Sequence, residues 1–165
     1  MQAHLIFPHI HWFDIAIVSG FITLNIFVGR FGMWPYSLVT FPGTFAHELA
    51  HYLVGKILFA SPSLPRLIPK RQGDHWVMGS VSFVPTILNS IPIAFAPLLL
   101  CPMGLFFIDR VMTQSTGLSY VSLAWVAANM LQSCLPSSQD LKVATPSVVF
   151  AVVVGIAIWF WWTKA

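Results

Sequence analysis

His47-Glu48-Leu49-Ala50-His51 is the stretch of this chain best suited to chemistry. Two imidazoles four apart on a helix share a face, with Cβ atoms roughly 5–6 Å apart. That spacing lets both bind one tetrahedral metal ion. The glutamate between them can then act as general base toward a water molecule that the metal activates. Glu48 is the only glutamate in the chain. The motif lies in an apolar stretch, where polar and ionisable groups are costly and usually mark function.

Two histidines alone hold zinc poorly, and catalytic sites generally add a third protein ligand and leave a position for water. A second glutamate does not exist. The longer H-E-x-x-H-x-x-G-x-x-H pattern also fails, with Val54 at the glycine position and Leu58 at the last histidine. The remaining candidates are Asp14, Asp74, Asp109, Asp140 or a distant histidine. Asp109 stands beside Arg110, which suggests a solvated pair. Asp74 follows Gly73 in a turn-like position. Asp14 opens an apolar run and suits the membrane interface. Asp140 follows Pro136, which interrupts a helix and can let a side chain turn inward; its rival role is a first-turn helix acid. Asp140 is the expected third ligand.

The elements that must position these residues read as membrane helices. The 165 residues are 57% hydrophobic and 8% charged, with mean hydropathy +0.79. Soluble domains are about a quarter charged. Five segments approach the length and apolarity of a span: residues 13–28, about 37 or 42 to 60, 86–108, 118–135 and 147–162. Trp159-Phe160-Trp161-Trp162 beside Lys164 suits an interfacial anchor. Residues 61–85 differ, with four prolines and most of the loop charge. Arg66–Ile68 and Trp76–Val84 read as short strands around Gln72-Gly73-Asp74, with alternation of period two. The expected fold is an all-α polytopic membrane protein of about five transmembrane helices. A small β-hairpin lies at the membrane surface between the second and third. The whole chain, residues 1–165, is expected to be one domain, its core at about 37–142 and extra spans at 13–30 and 146–163.

Charge excludes some functions. Eight Lys and Arg are too scattered for a nucleic-acid surface, the best cluster being Arg66, Lys70 and Arg71. Cys101 and Cys134 lack C-x-x-C spacing and read as small apolar side chains. No basic residue precedes the first apolar run, so a cleavable signal peptide is not expected. With the N-terminus in the cytoplasm, Lys56, Arg66, Lys70, Arg71 and Lys142 fall inside, and Arg30, Arg110 and Lys164 outside. A multi-pass protein of the cell (inner) membrane is expected. His4, His9 and His11 read as interfacial, and His75 as a loop residue.

Three pieces, in order, resemble the site-2 protease family of intramembrane zinc metallopeptidases. They are Phe45-Ala46-His47-Glu48-Leu49-Ala50-His51, then Gly79–Phe83 followed by Ile93–Pro97, then Asn129 to Asp140. The last is similar to the family's Asn-Pro-Asp segment, in which the aspartate is the third ligand. Gln139-Asp140-Leu141 stands where the family has Leu-Asp-Gly, which suggests a divergent, minimal branch without a regulatory domain. The resemblance implies one Zn2+ per chain, held by His47, His51 and Asp140. Glu48 would be catalytic base, with Asn129 donating to the oxyanion or the substrate backbone; Asn129 also suits an interhelical contact. The expected substrate is a membrane-anchored protein, cut in or near a transmembrane segment in the bilayer. An unwound piece would be held as an added strand on the hairpin, and a membrane partner would regulate the enzyme. Two rival readings remain: another membrane zinc hydrolase, and a membrane scaffold that binds metal but is catalytically idle.

Overall fold

The structure is a computed structural model that describes Phe7, residues 9–73 and residues 75–164. His4 and Asp74 lie outside these. The protein is mostly helical with one small antiparallel sheet. Helix α1 is Trp12–Val28, α2 Met33–Val39 and α3 Phe41–Ile57. Strands β1, Lys70–Gln72, and β2, His75–Val77, follow. Then come α4 Ser90–Ala94, α5 Leu100–Phe107, α6 Gly117–Gln132 and α7 Ser138–Trp162.

Two helical stretches are long and apolar enough to cross a membrane, Trp12–Phe31 and Ser138–Trp162. That is fewer than the five expected, and the chain's own residues explain why. The third expected helix, 86–108, is broken. Pro97 lies in a 3-10 turn, Ala96–Leu99, between α4 and α5, because proline lacks an N–H and fits only a helix's first turn. The second and fourth survive as α3 and α6, with 17 and 16 residues. At 1.5 Å per residue they reach about 26 and 24 Å, short of a hydrocarbon core of about 30 Å. The last expected helix is longer than anticipated, since α7 begins at Ser138 and continues through Pro146.

Helices α1, α3 and α6 run in the same direction. Tyr120 bonds Asp14 near the start of α1, and Gln132 bonds Asn25 near its end. Along α3, Val39 meets Trp125, Gly43 meets Asn129, and His47 meets Ser133. A chain that simply crossed back and forth would set α1 against α6. Here residues 29–40 bring the chain part of the way back instead, through a turn at Gly32 (φ 115°) and a bend at Thr40.

The main apolar cluster lies between α1, α6 and residues 108–112, around Val18, Ile108, Met112, Ala124, Ala127 and Ala128. The alanines of α6 let its neighbours approach closely. Two aspartates are buried at this end. Asp14 accepts from the Tyr120 hydroxyl (2.6 Å) and the His11 N–H (2.8 Å), so it is a buried acceptor and not an interfacial side chain. Asp109 is 1% exposed, held by the His9 N–H (2.9 Å) and the Arg110 guanidinium (3.0 Å), so its pair with Arg110 is not the solvated one expected.

The hairpin pairs Lys70 with Val77, Arg71 with Trp76 and Gln72 with His75, turning at Gly73 (φ 63°). His75 is thus a strand residue. Of the expected first strand only Arg66 pairs, by an isolated bridge to Ser80. In α7 every residue from 148 to 164 is exposed, and most are Val, Ile, Phe or Trp.

Candidate metal centre

His47 and His51 stand one turn apart on α3, because residues 41–57 form one helix with Pro42 in its first turn, where proline is tolerated. Each ring is held from behind. His47 Nδ1 lies 2.8 Å from the Ser133 carbonyl, and His51 Nδ1 2.8 Å from the Ile93 carbonyl. A carbonyl only accepts, so each Nδ1–H donates, and the Nε2 lone pair of each neutral ring is left to face its partner.

Asp140 joins them from the first turn of α7. Its Oδ1 lies 3.1 Å from His51 Nε2 and its Oδ2 3.4 Å from His47 Nε2. The two Nε2 atoms are 3.2 Å apart. Three atoms with lone pairs repel at this range unless a cation sits among them. Zinc bonds of 2.0–2.2 Å in a tetrahedron put ligand atoms about 3.3 Å apart. The donor set therefore fits zinc, and the described residues contain no other such group.

Asp140 is also the first-turn helix acid that its sequence position suggested. It caps α7: the Ser137 N–H donates to Oδ2 at 2.7 Å, and the Asp140 N–H donates to the Ser137 hydroxyl at 3.2 Å. This reciprocal cap fixes the carboxylate plane and leaves Oδ1 turned toward His51.

Glu48 is 7% exposed and lines the same cavity, of about 710 Å³, as His47, His51 and Asp140. Among the described residues nothing pairs with its carboxylate, which is therefore open to a proton. The return arm of the hairpin forms the opposite wall, with Val77, Gly79 and Val81 in the lining.

Asn129 stands apart from this cavity. It is fully buried one turn before Ser133, its amide donates to the Trp125 carbonyl at 2.9 Å, and its Oδ1 has no partner among the described residues. The cavity wall is made instead by Gln132, Ser133, Tyr36, Thr40 and Thr44, which sequence reasoning missed. Their signal was faint: Thr44 and Glu48 lie four apart on one face of α3, while Tyr36 and Thr40 belong to the segment before it. Cys134 is buried and Cys101 half-buried, both as free thiols.

No family model, no curated protein and no solved structure matches this chain.

Proposed function

We propose that this protein is an intramembrane zinc peptidase that hydrolyses a peptide bond in or near a transmembrane segment of a membrane-anchored protein. One observation carries the reading. His47, His51 and Asp140 converge at zinc-binding distances in a cavity that Glu48 also lines. The outward-facing apolar residues of α7 and the two membrane-length stretches favour a bilayer setting.

A bound zinc ion lowers the pKa of water to about 7 and polarises the scissile carbonyl. Glu48 takes the proton of the attacking water and returns it to the leaving amine. Ser133 and Ile93 keep the imidazoles oriented through their carbonyls. Helical segments hide their carbonyls, so the substrate enters unwound and pairs with the hairpin arm at residues 77–81. Orientation follows from charge. The Ser133 end of the bundle, the hairpin and the start of α7 carry Arg30, Lys56, Arg66, Lys70, Arg71 and Lys142, and the far ends carry Arg110 and Lys164. The positive-inside rule puts the metal centre toward the cytoplasm and, with α1 and α6 parallel, the N-terminus on the other side. That keeps the hairpin on the cytoplasmic side, as expected from sequence, and moves only the N-terminus and Arg30 to the opposite side from the one expected.

The test uses the full chain in detergent micelles. Zinc is counted by mass spectrometry, and cleavage is followed on a labelled 20-residue apolar peptide with a central Asn-Pro. Glu48→Gln should keep its zinc and lose about 10²–10⁴-fold in rate, whereas His47→Ala should lose the zinc. Zinc-loaded protein that cuts no membrane peptide, or a Glu48→Gln variant that cuts as well as the original, overturns the reading.

A further inference from the structure

A chain of polar side chains runs into the cavity from outside the metal centre. It starts at Asn25, 1% exposed between Leu24 and Ile26 on the apolar helix α1. A buried carboxamide is costly unless it is paired. Asn25 Nδ2 donates to Gln132 Oε1 at 2.9 Å. With Oε1 engaged in that bond, Gln132 Nε2 reaches the Tyr36 hydroxyl oxygen at 3.4 Å. An amide N–H only donates, so the Tyr36 oxygen is the acceptor and its O–H is left as a donor. Among the described residues that O–H has no acceptor, and Tyr36 and Gln132 both line the cavity.

Tyr36 also heads the polar row that leads to the metal centre. The Thr40 N–H donates to the Tyr36 carbonyl at the end of α2 and the Thr44 N–H to the Thr40 carbonyl at the start of α3, each at 3.0 Å, so the two helices share Thr40 at the bend. Twelve residues separate Tyr36 from Glu48, at most about 18 Å of helix rise. An extended peptide covers that in about five residues.

We infer that the Tyr36 hydroxyl is a docking donor for a backbone carbonyl of an extended peptide in the cavity, up to about five residues from the bond to be cut, with Asn25 and Gln132 as positioning residues. The inference rests on the peptidase reading and names how that site holds its substrate away from the metal. It gives Asn25 a purpose that helix packing does not, because its partner is a cavity side chain and not a neighbouring backbone.

The test measures binding, so that it is separate from cleavage. The labelled Asn-Pro peptide is titrated by fluorescence anisotropy into the zinc-loaded full chain carrying Glu48→Gln. Adding Tyr36→Phe should raise the Kd about five- to tenfold, the worth of one hydrogen bond, with zinc content unchanged. Gln132→Glu keeps the bond from Asn25 but replaces the donor facing Tyr36 by an acceptor. The Tyr36 O–H then turns to the new carboxylate and leaves the cavity, so this variant should lose as much affinity as Tyr36→Phe. The double variant should lose no more than either single one, because both remove the same bond. Unchanged binding by Tyr36→Phe, losses that multiply in the double variant, or no binding by any form overturns the inference. Peptide bound with this pattern but never cut by the Glu48 protein overturns the peptidase reading alone.

Discussion

Gly79 gives Glu48 its room: a methyl group at residue 79 would lie 2.6 Å from Glu48 Oε1 and 2.7 Å from its Cγ. The hairpin thus rests directly on Glu48, the proposed general base, and only a residue without a side chain fits. Gly79→Ala should push the carboxylate aside while leaving the ligands in place. A misplacement of about 1 Å costs on the order of 10²-fold in rate. Cleavage of the labelled peptide should fall by that factor with zinc content unchanged, and a variant at full rate would separate the hairpin from the chemistry.

Ser137 orients Asp140 through the reciprocal cap of α7. Ser137→Ala should cost about 1 kcal/mol as a lost helix cap. It should also weaken zinc binding about 10–100-fold, as removal of a ligand's outer support does. Competition with a chelator of known affinity reads the second effect, and undiminished zinc affinity would show that the cap serves only the helix.

Gly43 is where α3 and α6 touch. A Cβ there would overlap the Ser133 hydroxyl and lie 2.5 Å from the Asn129 carbonyl oxygen. Backbone cannot yield as a side-chain tip can, so Gly43→Ala should cost about 1–3 kcal/mol by overpacking. It should also shift Ser133 away from His47. Thermal unfolding in detergent and zinc content measure the two consequences.

Asp109 gives a pH dependence. Burial pushes its carboxyl up, but the His9 N–H, the His9 ring and Arg110 outweigh this and hold it below the usual carboxylate range. A carboxyl depressed by folding stabilises the fold above its unfolded value, near pH 4, and that contribution is lost as pH falls through the depressed value. Asp109→Asn should therefore lower the Tm at pH 6, and the difference should shrink as the pH is taken below 4.

Much of the candidate metal centre was legible because its rules are local. The i, i+4 spacing of His47 and His51 is a property of any helix, and the lack of a second glutamate narrowed the candidates until Asp140, which does converge on both rings, stood out. The turn at Gly73 was legible too, but the strands beside it are Lys70–Gln72 and His75–Val77, not the longer alternating runs. What stayed hidden depends on partners far along the chain. Asp14 and Asp109 are buried by Tyr120 and His9, 106 and 100 residues away. Asn25 and Gln132 mean little until α1 and α6 lie parallel. The third expected helix was overestimated because hydropathy alone does not show where Pro97 divides an apolar run, whereas α7 was underestimated because its polar first turns precede the apolar run.

The shortness of α3 and α6 has a consequence for the lipid. In a bilayer the acyl chains beside them must compress or splay to match about 24–26 Å of helix, a strain of fractions of a kcal/mol for each ångström. The leaflet dimples toward the mouth of the cavity and shortens the path for water. Turnover would then rise in vesicles of shorter-chain lipid, with membrane thickness acting as a control on the enzyme.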